Sequence, residues 1–467
     1  MKNVLVSLVL VSSMITSCMY EEKKQAQTNS PNIIVILADD AGYADFGFAG
    51  SQDIESPNID RLAKDGVIFT DAHVSATVCS PSRAGLLTGR YQQRFGHECN
   101  IPPHGLGMDT TEISLASALK QKGYHTAVFG KWHLGETKEY HPNQRGFDEF
   151  YGFLEGGRSY FRNQLNDRPG NPREIQHNGK HVNFKGYLTD VLGDKAVDYI
   201  DKQKENPFFI FLSFNAVHTP MHATKDDLKR YEGHPRQKLA AMTWAMDRAI
   251  GNVVNKLKKE KLYDNTLIFF LSDNGGAYYN QSSCLPLKGW KGNKFEGGHR
   301  VPFVMSWPRK LKAGQKYKYL TSALDIYPTA FHAAGGVGDP GKKLDGVNLL
   351  PFVTEEKNEA PHEYLFWRKD QMAAVRQGDW KLIRLNGYGY RLYNLGKDLG
   401  ETKDLQENEQ DQLKKLKLAL EDWESSLTSP LWLEDENWNL VNAEIHKALM
   451  ENRKSTINSP KDFNKEE

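Results

Sequence analysis

The sequence predicts an α/β fold: a large, mostly parallel sheet with helices on both faces, followed by a smaller C-terminal α+β domain with an antiparallel sheet. Three observations predict it. Continuous apolar runs of strand length, NIIVILADD at 32–40, NPFFIFLSF at 206–214 and NTLIFFLSDN at 265–274, fit strands buried on both faces. Stretches of helical periodicity separate them. Beyond residue 360 the pattern changes to short strand-like segments closed by one amphipathic helix.

The chain opens MKNVLVSLVLVSSMITSC, where Lys2 precedes an apolar run from Val4 to Val11 and small residues lead to Cys18. That layout is a secretory signal, too short for a membrane span. Ile15-Thr16-Ser17-Cys18 resembles a bacterial lipobox, which implies cleavage before Cys18 and a lipid anchor on that cysteine. The expected location is therefore outside the cytoplasm, periplasmic or cell-surface, with the membrane touched only through the lipid. The plainer alternative is a signal peptide whose cleavage site happens to contain a cysteine. Residues 19–31 are polar and read as a flexible tether.

After the first strand, SPNIDRLAKDG predicts a helix capped by Ser56, with Pro57 in its first turn and Gly66 at its close. Tyr124 to Gly135 read as a strand and its exit loop. Leu188, Leu192, Ala196 and Tyr199 mark one face of a helix, and MTWAMDRAIGNVVNKLKKEKL is a longer amphipathic one. Residues 155–186, rich in Gly, Asn, Arg and His, break the rhythm as a long surface excursion, of the kind that is either functional or disordered. MAAVRQGDWKLIRL and YRLYNLGKD predict antiparallel strands, and DQLKKLKLALEDWESSL a helix. The expected domains are 32–360 and 361–454, with residues 455–467 expected to be disordered.

Lys and Arg number 60 against 59 Asp and Glu, a net charge of +1, which gives no support to nucleic-acid binding or a polybasic membrane patch. With Cys18 lipidated, Cys79, Cys99 and Cys284 remain, an odd number that flags a thiol with another purpose. Cys99 and Cys284 are available to pair, which spacing alone does not decide.

Chemistry gathers where strands finish, and in open parallel sheets ligands bind outside the carboxyl ends of strands. Asp39 and Asp40 end the first strand; Asp273 and Asn274 end another. Four hard oxygen donors of this kind suit Ca²⁺, or less well Mg²⁺, although either pair alone also serves as an ordinary turn or helix cap. Lys131 and His133 follow a third strand in GKWHLG, and His218 a fourth in NAVHTP. A lone histidine is usually a structural hydrogen-bonder, but histidines at equivalent strand ends are well suited to proton transfer. Lys291 sits in the glycine-rich GWKGNKFEGG, where taken alone it is merely exposed. CSPSR opens a helix with Pro81 in its first turn, so Cys79 and Arg83, four apart, share a face. A helix N-terminus and an arginine both favour an oxyanion. Cys79 taken singly is equally a small buried apolar residue. Together these residues describe a pocket for hydrolysing a sulfate or phosphate ester.

CSPSRAGLLTGR (79–90), GKWHLG (130–135), HTP (218–220), SDNG (272–275) and KGxxxEGG (291–298) closely resemble the type I sulfatase family, of alkaline-phosphatase-like fold, and bacterial carbohydrate sulfatases among it. The resemblance runs from Asn32 to the C-terminal helix, without departure at these motifs. It implies that Cys79 is oxidised to formylglycine by a formylglycine-generating enzyme, and that one hydroxyl of the hydrated aldehyde attacks sulfur and expels the sugar or aryl alcohol. The second hydroxyl then loses its proton, which expels sulfate and restores the aldehyde. It further implies that Asp39, Asp40, Asp273, Asn274 and the modified Cys79 bind Ca²⁺, with Arg83 holding the nucleophile. By the same likeness Lys131 and Lys291 contact the sulfate, His218 protonates the leaving oxygen and His133 assists proton removal. The expected substrate is a sulfated glycan, with sulfated galactose or N-acetylhexosamine of mucin-type or glycosaminoglycan chains leading and exo-action favoured. His177, Arg158 or Arg162 of the 155–186 excursion are placed to touch sugar, or are simply solvated loop residues. Two rivals stand beside this reading: a phosphomonoester or phosphonate hydrolase on the same fold, and a non-catalytic glycan-binding lipoprotein.

Overall fold

A computed structural model describes residues 30–457 and 459–464. Cys18 and most of the expected tether lie outside the described residues. Ser30 and Pro31 are already tied down, through Asn265 Nδ2 to Ser30 O at 3.2 Å and Tyr124 OH to Pro31 O at 2.7 Å.

Four parallel strands form the centre of a ten-stranded sheet: β1 (Asn32–Ala38), β2 (His125–Lys131), β3 (Phe208–Ser213) and β4 (Thr266–Ser272). Their spatial order is β4-β1-β3-β2, with Val35 facing Phe211 on one side and Phe269 on the other. Glu149–Phe153 extends the sheet in parallel beyond β2, and the hairpin of Gln176–His177 and Lys180–His181 caps that edge. Beyond β4 lie Phe303–Ser306, Val67–Phe69 and Gln315–Tyr317; Phe303–Ser306 is antiparallel to both of its neighbours.

The uninterrupted apolar runs follow from burial on both faces. Ile34 and Ile36 pack under the helices α2 (Leu188–Gln203) and α3 (Gln237–Lys259). Ile33, Val35 and Leu37 point the other way, toward α1 (Cys79–Thr88), Leu115–Gln121 and Ile326–Ala333. Each such fully buried side chain contributes about 1.5–3 kcal/mol. With helices on both sides, all four strands deliver their carboxyl ends to one edge of the sheet.

A second, four-stranded antiparallel sheet runs in sequence order through Leu365–Lys369, Met372–Gln377, Trp380–Leu385 and Gly389–Asn394. Gln410–Ser425 packs on it, as the sequence indicates. The helix Glu436–Met450 was not legible, because three asparagines weaken its propensity. It forms under a cap from Asp435, whose carboxylate accepts from the N–H groups of Asn437 and Trp438. Within the tail expected to be disordered, Pro460–Asn464 makes a short 3-10 turn.

The cap expected from Ser56 differs. Pro57–Lys64 is helical, but Ser56 Oγ donates to Asp60 Oδ1 at 3.0 Å. The open N–H groups of Asn58 and Ile59 go to Asp247 of α3, at 3.0 and 2.8 Å. A carboxylate from another element outcompetes the local hydroxyl. Cys99 and Cys284 do not pair: each is a free buried thiol, Cys99 beside Asp370 and Cys284 beside the carbonyl of Gly297.

Candidate active site

The four strand ends converge on Cys79. The chain leaves β1 into Asp39 and Asp40, both buried, with Asp40 in the left-handed region at φ 63°. Cys79 begins α1, and its Sγ lies 3.4 Å from Asp39 Oδ1 and 3.7 Å from Asp40 Oδ1. Lys291 Nζ reaches Cys79 Sγ at 3.2 Å. One turn along α1, Arg83 is wholly buried, its Nε and Nη2 on Asp273 Oδ2 at 2.9 and 2.8 Å. Its Nη1 donates to Ser213 Oγ at 2.6 Å and to the carbonyl of Lys131 at 3.1 Å.

Three ion pairs neutralise the cage: Lys131 with Asp39 at 2.7 Å, Lys291 with Asp40 at 2.7 Å and Arg83 with Asp273. Burial raises the Asp39 and Asp40 carboxyls, but the surrounding cations together, Lys131 foremost at Asp39 and Lys291 at Asp40, outweigh it and hold both below the usual range. At Asp273 burial and the charge of Asp39 prevail over Arg83, and its carboxyl is held up. Burial, reinforced by Asp273, also pushes the Cys79 thiol well up, so the unmodified side chain stays S–H.

The two histidines are set differently. Burial, then the positive charges of Lys131 and Arg83, hold His133 well below its ordinary value, and its Nδ1 is buried with no hydrogen-bond partner. It is a neutral imidazole able to accept a proton. His218 Nδ1 sits 2.6 Å from the carbonyl of Thr219, which fixes that nitrogen as the donor and leaves Nε2 turned to Asp40 Oδ2 at 3.7 Å. Burial lowers His218 too, against the pull of Asp39 and Asp40.

The donor set fits a hard divalent cation. Asp39, Asp40, Cys79 and His218 each bring one ligand atom to within 4.8 Å of the others. Asp273 Oδ1 accepts from the Asp40 N–H, and Asn274 Nδ2 donates to Asp40 Oδ1 at 2.8 Å, while Asn274 Oδ1 is buried with no partner. An orphaned carbonyl oxygen beside three buried carboxylates is what an oxygen-seeking ion would satisfy. His73, Glu296 and His299 also converge, but Arg376 and Lys381 already occupy Glu296 and Lys381 lies 3.1 Å from His299. Positive charge fills the place a metal would need.

Lys291 is positioned from a distance. Its loop continues into Glu296, whose N–H donates to Glu401 Oε2 at 2.8 Å. Lys381 of the small sheet bridges Glu296 and Glu401 at 3.0 and 2.8 Å, and Arg376 holds Glu296 at 2.8 Å. The C-terminal sheet thus braces the loop that carries Lys291 to Asp40 and Cys79.

A cavity of about 620 Å³ opens beside His133 and His218, walled by residues 155–159, Asn163, Leu165, Asn166, Asn100 and Pro102. Gly156 and Gly157 pass against the two imidazoles; a Cβ at Gly156 would stand 2.6 Å from His133 Cε1. Sequence reading missed this pair, although its Gly-Gly step was the signal. Of the excursion residues thought able to touch sugar, Arg158 borders this cavity, but its guanidinium is held by Asp167 and the carbonyl of Arg173, pinning the loop. Arg162 is exposed and does not line the cavity. His177 lies on the edge hairpin opposite Tyr151, 3.5 Å from Glu149, because that hairpin continues the sheet outward. Neither Arg162 nor His177 is brought to the site. Also unforeseen were Ser213, and Tyr279, whose hydroxyl donates to Asp40 Oδ2 at 3.2 Å.

Residues 31–337 match the family model described as Sulfatase, and residues 289–426 match N-sulphoglucosamine sulphohydrolase, C-terminal. The chain is 34% identical to Uncharacterized sulfatase YdeN of Escherichia coli (strain K12), over 72% of this chain and 68% of that one. It is 33% identical to N-acetylgalactosamine-6-sulfatase of Homo sapiens, over 75% of this chain and 71% of that one. Among solved structures it resembles Ps i-CgsB in complex with k-i-k-neocarrahexaose, with a TM-score of 0.83 and 39% identity over 90% of this chain and 98% of that one. With its strand-end cage closed around Cys79, the chain belongs to the sulfatase family, hydrolases of sulfuric esters.

Proposed function

We propose that the protein releases sulfate from sulfated galactose or N-acetylhexosamine residues of a glycan, through a formylglycine made from Cys79. Hydrolysis of a sugar sulfate ester is what the name of one relative, N-acetylgalactosamine-6-sulfatase, describes, and it supports the same class of reaction here. The observation that most supports the chemistry is the place of Cys79, at a helix start within 3.4 Å of Asp39 and 3.2 Å of Lys291. The similarity to N-acetylgalactosamine-6-sulfatase and to a protein bound to k-i-k-neocarrahexaose supports the choice of sugar.

Asp39, Asp40, Asp273, Asn274 and the modified Cys79 would hold Ca²⁺, with Mg²⁺ the weaker fit. Bound there, the ion supplies positive charge where the nucleophile and sulfuryl oxygens gather. Arg83 fixes Asp273 and the start of α1 together. Lys131 and Lys291 turn their ammonium groups from Asp39 and Asp40 to the sulfuryl oxygens, where charge grows as the ester bond breaks. His218, anchored through Nδ1, delivers a proton from Nε2 to the departing sugar oxygen. His133, held neutral, takes the proton whose removal lets sulfate leave. Export as a Cys18-anchored lipoprotein, and maturation by a formylglycine-generating enzyme, belong to the same proposal.

The test is sulfate release from galactose and N-acetylhexosamine sugars, each sulfated at one defined hydroxyl, with the maturing enzyme co-produced and calcium supplied. Release from one regioisomer, abolished in Cys79→Ala with the fold intact, is expected. Full activity in Cys79→Ala would overturn the mechanism. Silence toward sulfates but turnover of phosphate or phosphonate monoesters, with Cys79 conversion verified by mass, would overturn the substrate.

A further inference from the structure

We infer that the glycan continues past the reacting sugar into a second cleft, on the Lys291 side of the site, so that the protein acts on internal residues of a sulfated chain. This rests on the proposed sulfatase chemistry and departs from the terminal action the sequence favours. Asp40 is the dividing point. His218, on one side of it, borders the cavity beside His133. Lys291 and Tyr279, which also reach Asp40, border a separate cleft of about 520 Å³. The reacting centre therefore lies between two openings, where a terminal sugar would need only one.

The walls of the second cleft suit a sugar chain. Tyr278, Tyr279, Trp290 and Trp438 line it, and three of these are unusually exposed for aromatics: 74% for Tyr278, 57% for Tyr279 and 46% for Trp438. Such a concentration of exposed ring faces marks a binding surface. The Tyr278 and Trp290 rings stand 5.6 Å apart at 38°, an open angle that leaves their faces available. Aromatic faces stack on the C–H faces of sugar rings, and Tyr and Trp do so at low entropic cost. Exposed Lys454 puts positive charge at the rim of this surface, while Lys291 at its inner end serves Asp40 and the reacting sulfate. A neutral, unsulfated glycan would not require the rim charge; a chain bearing a further sulfate would. Arg453, also in the wall, is already engaged by Glu444 and Glu451 and contributes none.

Trp438 and Tyr278 touch none of the catalytic groups and are exposed, so their removal leaves the fold and the centre intact. The experiment measures calorimetric affinity in the full chain carrying Cys79→Ala with calcium present, with and without Tyr278→Ala and Trp438→Ala. The probes are k-i-k-neocarrahexaose and a chondroitin 6-sulfate hexasaccharide, each compared with its own sulfated disaccharide. With the rings present, at least one hexasaccharide should bind about tenfold tighter than its disaccharide, and without them the advantage should shrink to about twofold. Disaccharide affinity should be unchanged. No length preference with either probe, or a preference that survives loss of both rings, overturns the second cleft. The sulfatase reading fails by a different result: the matured Cys79-containing protein then releases no sulfate from any disaccharide.

Discussion

Replacing Lys294 with methionine should stabilise the protein, and more in acid than in base. Lys294 lies in the loop of Lys291, 1% exposed, and its Nζ donates to Thr77 Oγ1 at 3.0 Å. Burial, and then repulsion by Lys369, bring its ammonium down from 10.5 to about 7. The unfolded chain keeps that proton until 10.5, whereas the folded one releases it near 7. Between those values the unfolded state binds more protons, so this group's contribution to stability rises with pH. Below 7 both states are protonated and the full cost of the buried charge is present, an upper bound of about 5 kcal/mol at 1.36 kcal/mol per unit. Methionine matches the length without the charge and forfeits a hydrogen bond worth about 1 kcal/mol. The expected gain is therefore about 3–4 kcal/mol at pH 6, vanishing toward pH 10. Urea unfolding of both proteins at pH 6 and 9.5 reads it directly. A variant less stable at pH 6, or a difference independent of pH, refutes the argument that Lys294 is an uncompensated buried charge.

Among the described residues Lys131→Met leaves Asp39 one ion pair, with Arg83 at 3.7 Å, and should cost about 3–5 kcal/mol in chelator. Because a positive charge has gone from the cage, calcium should raise the melting temperature of this variant more than that of the native protein; equal shifts would contradict the site. For the native chain, calcium at 100 times its dissociation constant should add about 2.7 kcal/mol, which chelator reverses in the same melt. Glu401→Ala removes the acceptor that fixes the Glu296 N–H and should lower kcat/KM about tenfold by loosening Lys291. Glu401→Gln should recover most of it, and a variant with native kinetics would show that the brace does not matter. His218 must carry a proton to give one, and burial sets its value below the ordinary histidine range. Activity should therefore fall as pH rises through that value; a rate flat from pH 5 to 9 would exclude His218 as the acid.

Much of the site was legible because strand ends carry local marks. NIIVILA announces a strand covered on both faces, and the polar residues after it must stand at its carboxyl end. CSPSR announces a helix start through Pro81, which fixes Cys79 and Arg83 on one face. What local pattern does not encode is which distant residues meet. Lys131 and Asp39 are 92 positions apart, and Lys291 and Asp40 are 251. Their pairing depends on the order β4-β1-β3-β2, set by which helices cover which face.

The same reason explains what the sequence left unplaced. Histidine in a polar loop looks equally reactive anywhere, and only the sheet order puts His177 on the outer edge. Arg158 reads as free until the loop folds back and presents Asp167 to it. Trp438 belongs to a helix with poor intrinsic propensity, fixed by an Asp435 cap and packing, so the second cleft has no local signature. The sequence by itself determined the fold class, the start of a helix at Cys79 and the polar groups at the strand ends, since these follow from periodicity and residue chemistry. Tertiary structure alone decided the charge balance around Cys79, the brace on Lys291 and the two openings, since each needs contacts between elements far apart in the chain.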